Sequence, residues 1–368
     1  MAGSRRSRGL AGAALITLLL FAAPAALAAF PGANGRISYQ APTPDFSRVD
    51  TYAVNPNGSD PRLVVRNARY GGWSPDGARL AFTREAGACH DIFVVNADGS
   101  GEARLTNGPG CTVNTEPSWS PDGARIAFRS HREALAELYV MNADGSNQVR
   151  LTDSAMSETA PAWSPDGRKI AFSGFPNVLT GRNTDIYTVN PDGSGLARLT
   201  TDPNFDRDPD WSPDGSRLAF ERAVEDPATG RQKGEVFTVN ADGSGYAGLI
   251  TGTDITATSP AWSPDGRRIA YTFGNRSRPK AGGVYASDAD GTNRVCVVIG
   301  AVLPAWQPAP VPAPAERSGR ACTKPGKCSN LRGKKRSACI KKRCGKFKKG
   351  RRKNTKKYKA CVKRVTAR

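Results

Sequence analysis

Three aspartates alternate in the stretch Asp206-Arg-Asp208-Pro-Asp210, immediately before Trp211. Carboxylates so placed can offer the hard oxygen ligands that Ca2+ prefers. The stretch lacks the spaced glycine and bidentate glutamate of an EF-hand loop, and solvation of a loop and a strand end explains the same residues more simply. Ca2+ at Asp206, Asp208 and Asp210 is therefore the one metal reading the sequence raises, against a simpler expectation of no cofactor. The two histidines, His90 and His131, are too few for a multi-histidine metal set. No Gly-x-Ser-x-Gly nucleophile elbow occurs. No complete catalytic apparatus is found.

The cysteines point to oxidation rather than catalysis. There are eight, an even number, and in an exported chain that favours disulfides. Cys89 and Cys111 fall close together in the body, and a disulfide between them is expected. Cys296 lies near the end of the body, and Cys322, Cys328, Cys339, Cys344 and Cys361 follow in the C-terminal segment. Six cysteines allow fifteen pairings, so the remaining connectivity stays open.

Export is read from the first residues. Arg5, Arg6 and Arg8 precede an apolar run from Leu10 to Leu27, and Ala26-Leu27-Ala28 supplies small residues for cleavage. This is the pattern of a secretory signal peptide over 1–28. The expected locations are extracellular, cell-surface or periplasmic, with no transmembrane span in the mature chain.

The net charge of +20 conceals two unlike parts. Arg317 to Arg368 contain 23 Lys or Arg and no Asp or Glu, whereas 29–316 carry 27 basic and 33 acidic residues, a net of −6. A stiff Pro/Ala-rich linker, 309–320, joins them. In the basic segment 321–368, Ile340, Cys344 and Phe347, and then Tyr358, Val362 and Val365, are spaced as on single helical faces. A cysteine-stapled helical hairpin and a disordered polycation both fit. Such a segment attracts polyanions by counterion release. Anionic wall polymers or acidic lipid surfaces share the expected compartment, while Phe347 and Tyr358 are few aromatics for stacking on bases.

What positions the candidate residues is a repeat. Trp-Ser-Pro-Asp-Gly begins at Trp73, Trp119, Trp163, Trp211 and Trp262, 44 to 51 residues apart. Each copy leads into a run such as Arg-Leu-Ala-Phe, then a second run such as DIFVVN, then Asn-x-Asp-Gly, then a short segment ending near Leu-Thr. Proline fixes φ for a type I turn and glycine takes the left-handed position that closes a hairpin. Each repeat therefore reads as four antiparallel strands, a to d, which is one propeller blade. The tryptophans are expected to pack between neighbouring blades, and Asp76, Asp122, Asp166, Asp214 and Asp265 to shape turns rather than perform chemistry. The first unit lacks strand a, and Trp306 in Leu-Pro-Ala-Trp ends a strand a without a successor. Pairing the two closes a ring: an all-β, six-bladed propeller over 29–308.

These repeats resemble the WD40-like repeats of TolB-type β-propellers. That resemblance implies the fold; the propeller of TolB itself docks partners in the bacterial envelope, a role that the resemblance does not carry over to this chain. The N-terminal α/β domain of TolB has no counterpart between the expected cleavage site and the first strand. The a–b and c–d turns should share one uniform face, and the varied b–c and d–a connections the other, where binding is expected. His90 and His131 belong to b–c connections of adjacent blades. The leading expectation is a non-catalytic, monomeric exported scaffold. It would bind an envelope protein or glycan through the variable face, with the basic tail on an anionic polymer or lipid. The alternatives are a carbohydrate- or peptide-active enzyme at the channel mouth, and an extracellular nucleic-acid binder.

Overall fold

The computed structural model describes residues 33–309, apart from 88, 108–111, 177–182, 227–228, 231, 276 and 279–280. The expected signal peptide and basic segment lie outside the described residues, as do Cys111 and all of the linker except Ala309, which ends the last strand.

Among the described residues, twenty-four strands form six four-stranded antiparallel sheets. Blade 1 combines β1 (Ala33–Pro42), β2 (Val49–Val54) and β3 (Arg62–Val65) with the last strand, β24 (Val302–Ala309), in the order β24-β1-β2-β3. Blade 2 holds β4 (Arg69–Trp73), β5 (Arg79–Ala86), β6 (Cys89–Asn96) and β7 (Ala103–Arg104). Blade 3 holds β8 (Asn114–Trp119), β9 (Arg125–Ser130), β10 (Glu137–Asn142) and β11 (Val149–Arg150). Blade 4 runs through β12 (Met156–Trp163), β13 (Ile170–Pro176), β14 (Asp185–Val189) and β15 (Ala197–Arg198). Blade 5 is β16 (Phe205–Trp211), β17 (Arg217–Glu225), β18 (Gln232–Asn240) and β19 (Ala247–Ile250). Blade 6 is β20 (Ile255–Trp262), β21 (Arg268–Asn275), β22 (Gly283–Asp288) and β23 (Val295–Ile299).

The ring closes as the repeat count requires. β24 pairs antiparallel with β1, Trp306 opposite Ile37, so chain ends more than 260 residues apart share one sheet. No α-helix occurs among the described residues.

Each repeated tryptophan belongs to the hydrophobic cluster of the blade before it. Trp73 packs with Ala53, Val64 and Val65 of blade 1, Trp119 with Ile92 and Val94 of blade 2, and Trp163 with Leu138 and Val140 of blade 3. Trp211 meets Ile186 of blade 4, Trp262 meets Val236 of blade 5, and Trp306 meets Val284 of blade 6. A single blade would leave these indoles exposed; the stack buries all six to 4% exposure or less.

The Ser-Pro-Asp-Gly turn is locked by its own side chains. In blade 2 the Ser74 hydroxyl donates to Asp76 at 2.6 Å, Asp76 accepts from the Ala78 N–H at 3.0 Å, and the Arg79 N–H donates to Ser74 Oγ at 2.9 Å. Asp122, Asp166, Asp214 and Asp265 accept the same hydroxyl bond in their own turns. Partial burial opposes charge on Asp76, but the hydroxyl and backbone donors outweigh it and hold the carboxyl below its ordinary value. Gly77 has φ +66°, and a Cβ there would also collide with the carbonyl of Pro308. Each of these aspartates commits Oδ1 to its own turn.

One b–c connection differs from its expected length. In blade 2, β5 and β6 pair continuously from Arg79–Asn96 to Ala86–Cys89, leaving two residues at the tip. Residues that read as loop, including Cys89 and His90, continue the ladder, and the His90 N–H turns outward from it to the carbonyl of Thr112.

Candidate binding site in the central channel

The six inner strands, β4, β8, β12, β16, β20 and β24, line the channel. In each, the third residue before the tryptophan has a left-handed backbone: Tyr70, Glu116, Ala160, Asp208, Ser259 and Leu303, with φ between 50° and 59°. Non-glycine residues rarely adopt this region. All six positions fall within a register shift against the neighbouring strand, as between Thr115 and Ser118, Arg207 and Asp210, or Val302 and Ala305. An extra residue is thus bulged out of the ladder, which re-aims the side chain. Hydroxyls of the preceding blade secure three of the bulges: Thr83 accepts from the Glu116 N–H, Ser173 from Asp208 N–H and Thr272 from Leu303 N–H, at 3.2, 3.0 and 2.9 Å.

The result is a cavity of about 260 Å3 on the ring axis. Tyr70 and Leu303 make one side of its wall apolar, and Glu116, Asp208 and Asp210 make another side acidic. Glu116 Oε2 accepts from the Ala160 N–H at 2.7 Å, and Arg129 stands 3.6 Å from its other oxygen. Burial raises the Glu116 carboxyl above its ordinary value despite these partners, and nearby Asp208 adds to the shift. Asp208 accepts from Ser259 Oγ at 3.2 Å. Asp210 accepts from the Trp262 N–H at 2.6 Å, and burial pushes its carboxyl up to about 7.

Asp206, Asp208 and Asp210 do not converge. Asp206 is fully buried and turned to Arg222, which donates to both its oxygens at 2.7 and 2.8 Å. The bulge between Arg207 and Asp210 breaks the alternation, so only Asp208 and Asp210 reach the channel. Among the described residues, no group of three His, Cys, Asp or Glu is arranged to hold a metal ion.

His90 and His131 flank one segment. The His90 N–H donates to Thr112 O at 3.3 Å and the His131 N–H to Val113 O at 3.0 Å. Arg129 Nη2 lies 2.6 Å from His131 Nε2, and burial together with that guanidinium lowers the imidazole's pKa. Neither Cys89 nor Cys296 carries a free thiol. The expected partner of Cys89, Cys111, lies outside the described residues.

Two sets of residues escaped the sequence reading. Tyr70 and Glu116 are channel residues whose one signal is their place three before the tryptophan. The other set is an ionic clasp in blades 2 to 4. Arg104 pairs with Asp91, Arg150 with Glu137 at 2.8 Å, and Arg198 with Asp185 at 2.6 Å. Thr106, Thr152 and Thr200 donate to the same carboxylates and accept from the next backbone N–H. The constant interval of 13 residues between acid and arginine was the available signal.

No helix of the described residues is long and apolar enough to cross a membrane.

Comparison with known proteins agrees with this architecture. A 49-residue stretch is 49% identical to the Tol-Pal system protein TolB of Anaeromyxobacter dehalogenans (strain 2CP-C), covering 13% of this chain and 11% of that protein. The match therefore spans about a tenth of the curated relative's length. TolB from Acinetobacter baumannii superposes with a TM-score of 0.61 at 22% identity, over 76% of this chain and 68% of that one. The putative TolB from Agrobacterium tumefaciens gives 0.57 at 20% identity, over 73% and 91%. At these identities the superpositions speak for the fold. The TolB beta propeller domain family (PD40) matches residues 67–174 and 153–278, together more than half of the sequence, and the chain belongs to that family.

Proposed function

We propose that the protein is a non-catalytic binding scaffold of the bacterial envelope, exported by its N-terminal segment. It engages a protein or glycan through the face that carries the b–c and d–a connections and the channel mouth. The polycationic C-terminal segment holds it to anionic polymers or lipid head groups of the same compartment. The observation that carries this reading is the contrast between the two faces. One repeats the same self-locked turns around the ring. The other differs from blade to blade and surrounds a channel whose strained bulges present Tyr70, Glu116 and Asp208. Backbone strain kept at a cavity is a usual mark of a working surface. The names of the TolB relatives favour the envelope as the location, and a disulfide of Cys89 with Cys111 would suit an oxidising compartment.

The test compares residues 29–368 with 29–316, each sedimented with envelope material and with DNA at low and high salt. The proposal expects the longer form to bind envelope in two parts, one released by salt and one not. The shorter form should keep the salt-resistant part. Preferential, salt-sensitive binding of the longer form to DNA alone would favour nucleic acid as the target of the basic segment.

A further inference from the structure

Blade 6 breaks the pattern of the ionic clasp. In blades 2, 3 and 4 the arginine of the outer strand stands opposite an aromatic residue: Arg104 opposite Phe93, Arg150 opposite Tyr139 and Arg198 opposite Tyr187. In blade 6 the residue opposite the aromatic Tyr285 is Cys296. The acid of the clasp, two residues before the aromatic, is there replaced by Gly283. Both halves of the clasp are gone, and a cysteine occupies the arginine's place.

That cysteine has a partner, and geometry narrows where it lies. Cys296 is not a free thiol. The other cysteine among the described residues, Cys89, opens β6 of blade 2, and blade 1 stands between blades 2 and 6. A disulfide needs Cα atoms within about 7 Å, so this pair is excluded. Thr112, whose carbonyl accepts from the His90 N–H, sits on blade 2, and the peptide joining it to Cys111 spans about 3.8 Å between Cα atoms, so Cys111 cannot reach Cys296 either. The remaining cysteines are Cys322, Cys328, Cys339, Cys344 and Cys361. Ala309 to Cys322 is 13 residues, enough at full extension for roughly 40 Å. The basic segment can therefore travel from the end of β24 to the outer rim of the adjacent blade 6.

The rim there lacks its usual protection. The outer strands β3, β7, β11 and β15 are two to four residues long and each includes an arginine, β19 has four uncharged residues, and β23, Val-Cys-Val-Val-Ile, is the longest of the outer strands at five residues and carries neither charge nor proline. A long, uncharged outer strand invites pairing with another chain unless something covers it.

We propose that Cys296 is disulfide-linked to a cysteine of the 322–361 segment, and that the linked segment covers the outer edge of β23. Two thiols become one cystine, and two electrons and two protons pass to a disulfide-donating oxidant of the exported compartment, left as a dithiol. The polycation is thereby held at a fixed place on the rim instead of swinging from its linker. The inference concerns how the segment is attached and does not depend on what it binds.

The experiment uses the full exported chain with thiols blocked before denaturation. Peptide mapping without reduction should recover Cys296 cross-linked to a peptide from 322–361. Hydrogen exchange over 295–299 should be slow in the oxidised protein. It should be faster after reduction and in Cys296→Ser. Recovery of Cys296 as a free thiol, or joined to Cys89, Cys111 or a second copy, overturns the linkage. The linkage found with equal exchange rates before and after reduction overturns the covering of β23. Neither outcome bears on envelope binding, which is read separately by sedimentation.

Discussion

Glu137 and Glu158 meet across the seam between blades 3 and 4 through one hydroxyl, that of Thr152. Both carboxyls are buried, at 1% and 0% exposure. Arg150 neutralises Glu137, while Glu158 has Ser154 Oγ at 2.8 Å and the Leu138 N–H at 3.4 Å but, among the described residues, no cation as a hydrogen-bond partner. Burial, with Glu137 nearby, pushes Glu158 up to about 6.

The seam should therefore weaken as pH rises. The folded protein holds a proton on Glu158 that the unfolded chain releases near its ordinary value of 4.5. The stability this gives is fully present below that value and is lost as pH climbs through about 6. The shift corresponds to about 2 kcal/mol. Urea unfolding of Glu158→Gln should show a flatter dependence between pH 4 and pH 7 than the parent. A parallel dependence in both would show that the pair does not couple folding to protons.

Asp210 carries a second, separate titration. Its carboxyl, pushed up to about 7 by burial, faces the channel and not a cation. Carbon-detected NMR of labelled aspartate should show the Asp210 carboxyl titrating about three units above the ordinary aspartate value. The Asp210→Asn variant should lose that signal. If every aspartate titrates below 5, the channel is more open to water than the structure implies.

The repeated tryptophans and aspartates should differ sharply in weight. Trp163→Ala removes an indole from between two blades and should cost about 3–5 kcal/mol. Asp122→Ala removes the acceptor of Ser120 Oγ at 2.5 Å and of the Ala124 N–H at 3.0 Å, and should cost about 1 kcal/mol. Denaturant midpoints measure both. Asp122 lies in a turn on the opposite face and outside the channel lining, so envelope binding by the folded Asp122→Ala variant should be unchanged.

Ring closure by the last strand is tested by removing it. A chain ending at Ala301 should lose the β24–β1 pairing and the Trp306 packing. It should unfold broadly, at lower denaturant than a chain ending at Ala309. Identical sharp transitions would mean that closure contributes little.

How much of this was legible follows from what each feature depends on. The blades and the closure rest on local turn chemistry repeated at a long period, and Ser-Pro-Asp-Gly with its flanking tryptophan states that chemistry openly. The channel was less legible because a bulge is a matter of register. Asp206, Asp208 and Asp210 read as one alternating row, yet the shift between Arg207 and Asp210 sends Asp206 to Arg222. Glu116 stood in no motif, and only alignment of the repeats on their tryptophans sets it beside Tyr70 and Asp208. The clasp joins residues thirteen apart on neighbouring strands, such as Asp91 and Arg104, an interval visible only once the c–d hairpin is known.

The central claim, recognition through the loop face and channel mouth, is tested most directly with residues 29–316 and envelope material at high salt. The variant Tyr70→Gly, Asp208→Asn suits the left-handed backbone at both sites, which glycine and asparagine tolerate. A control, Arg168→Ser, Arg267→Ser, changes the opposite, turn-bearing face. Retention should fall several-fold for the first variant and stay unchanged for the control. Equal retention of parent and channel variant, or loss in the control alone, would contradict the claim.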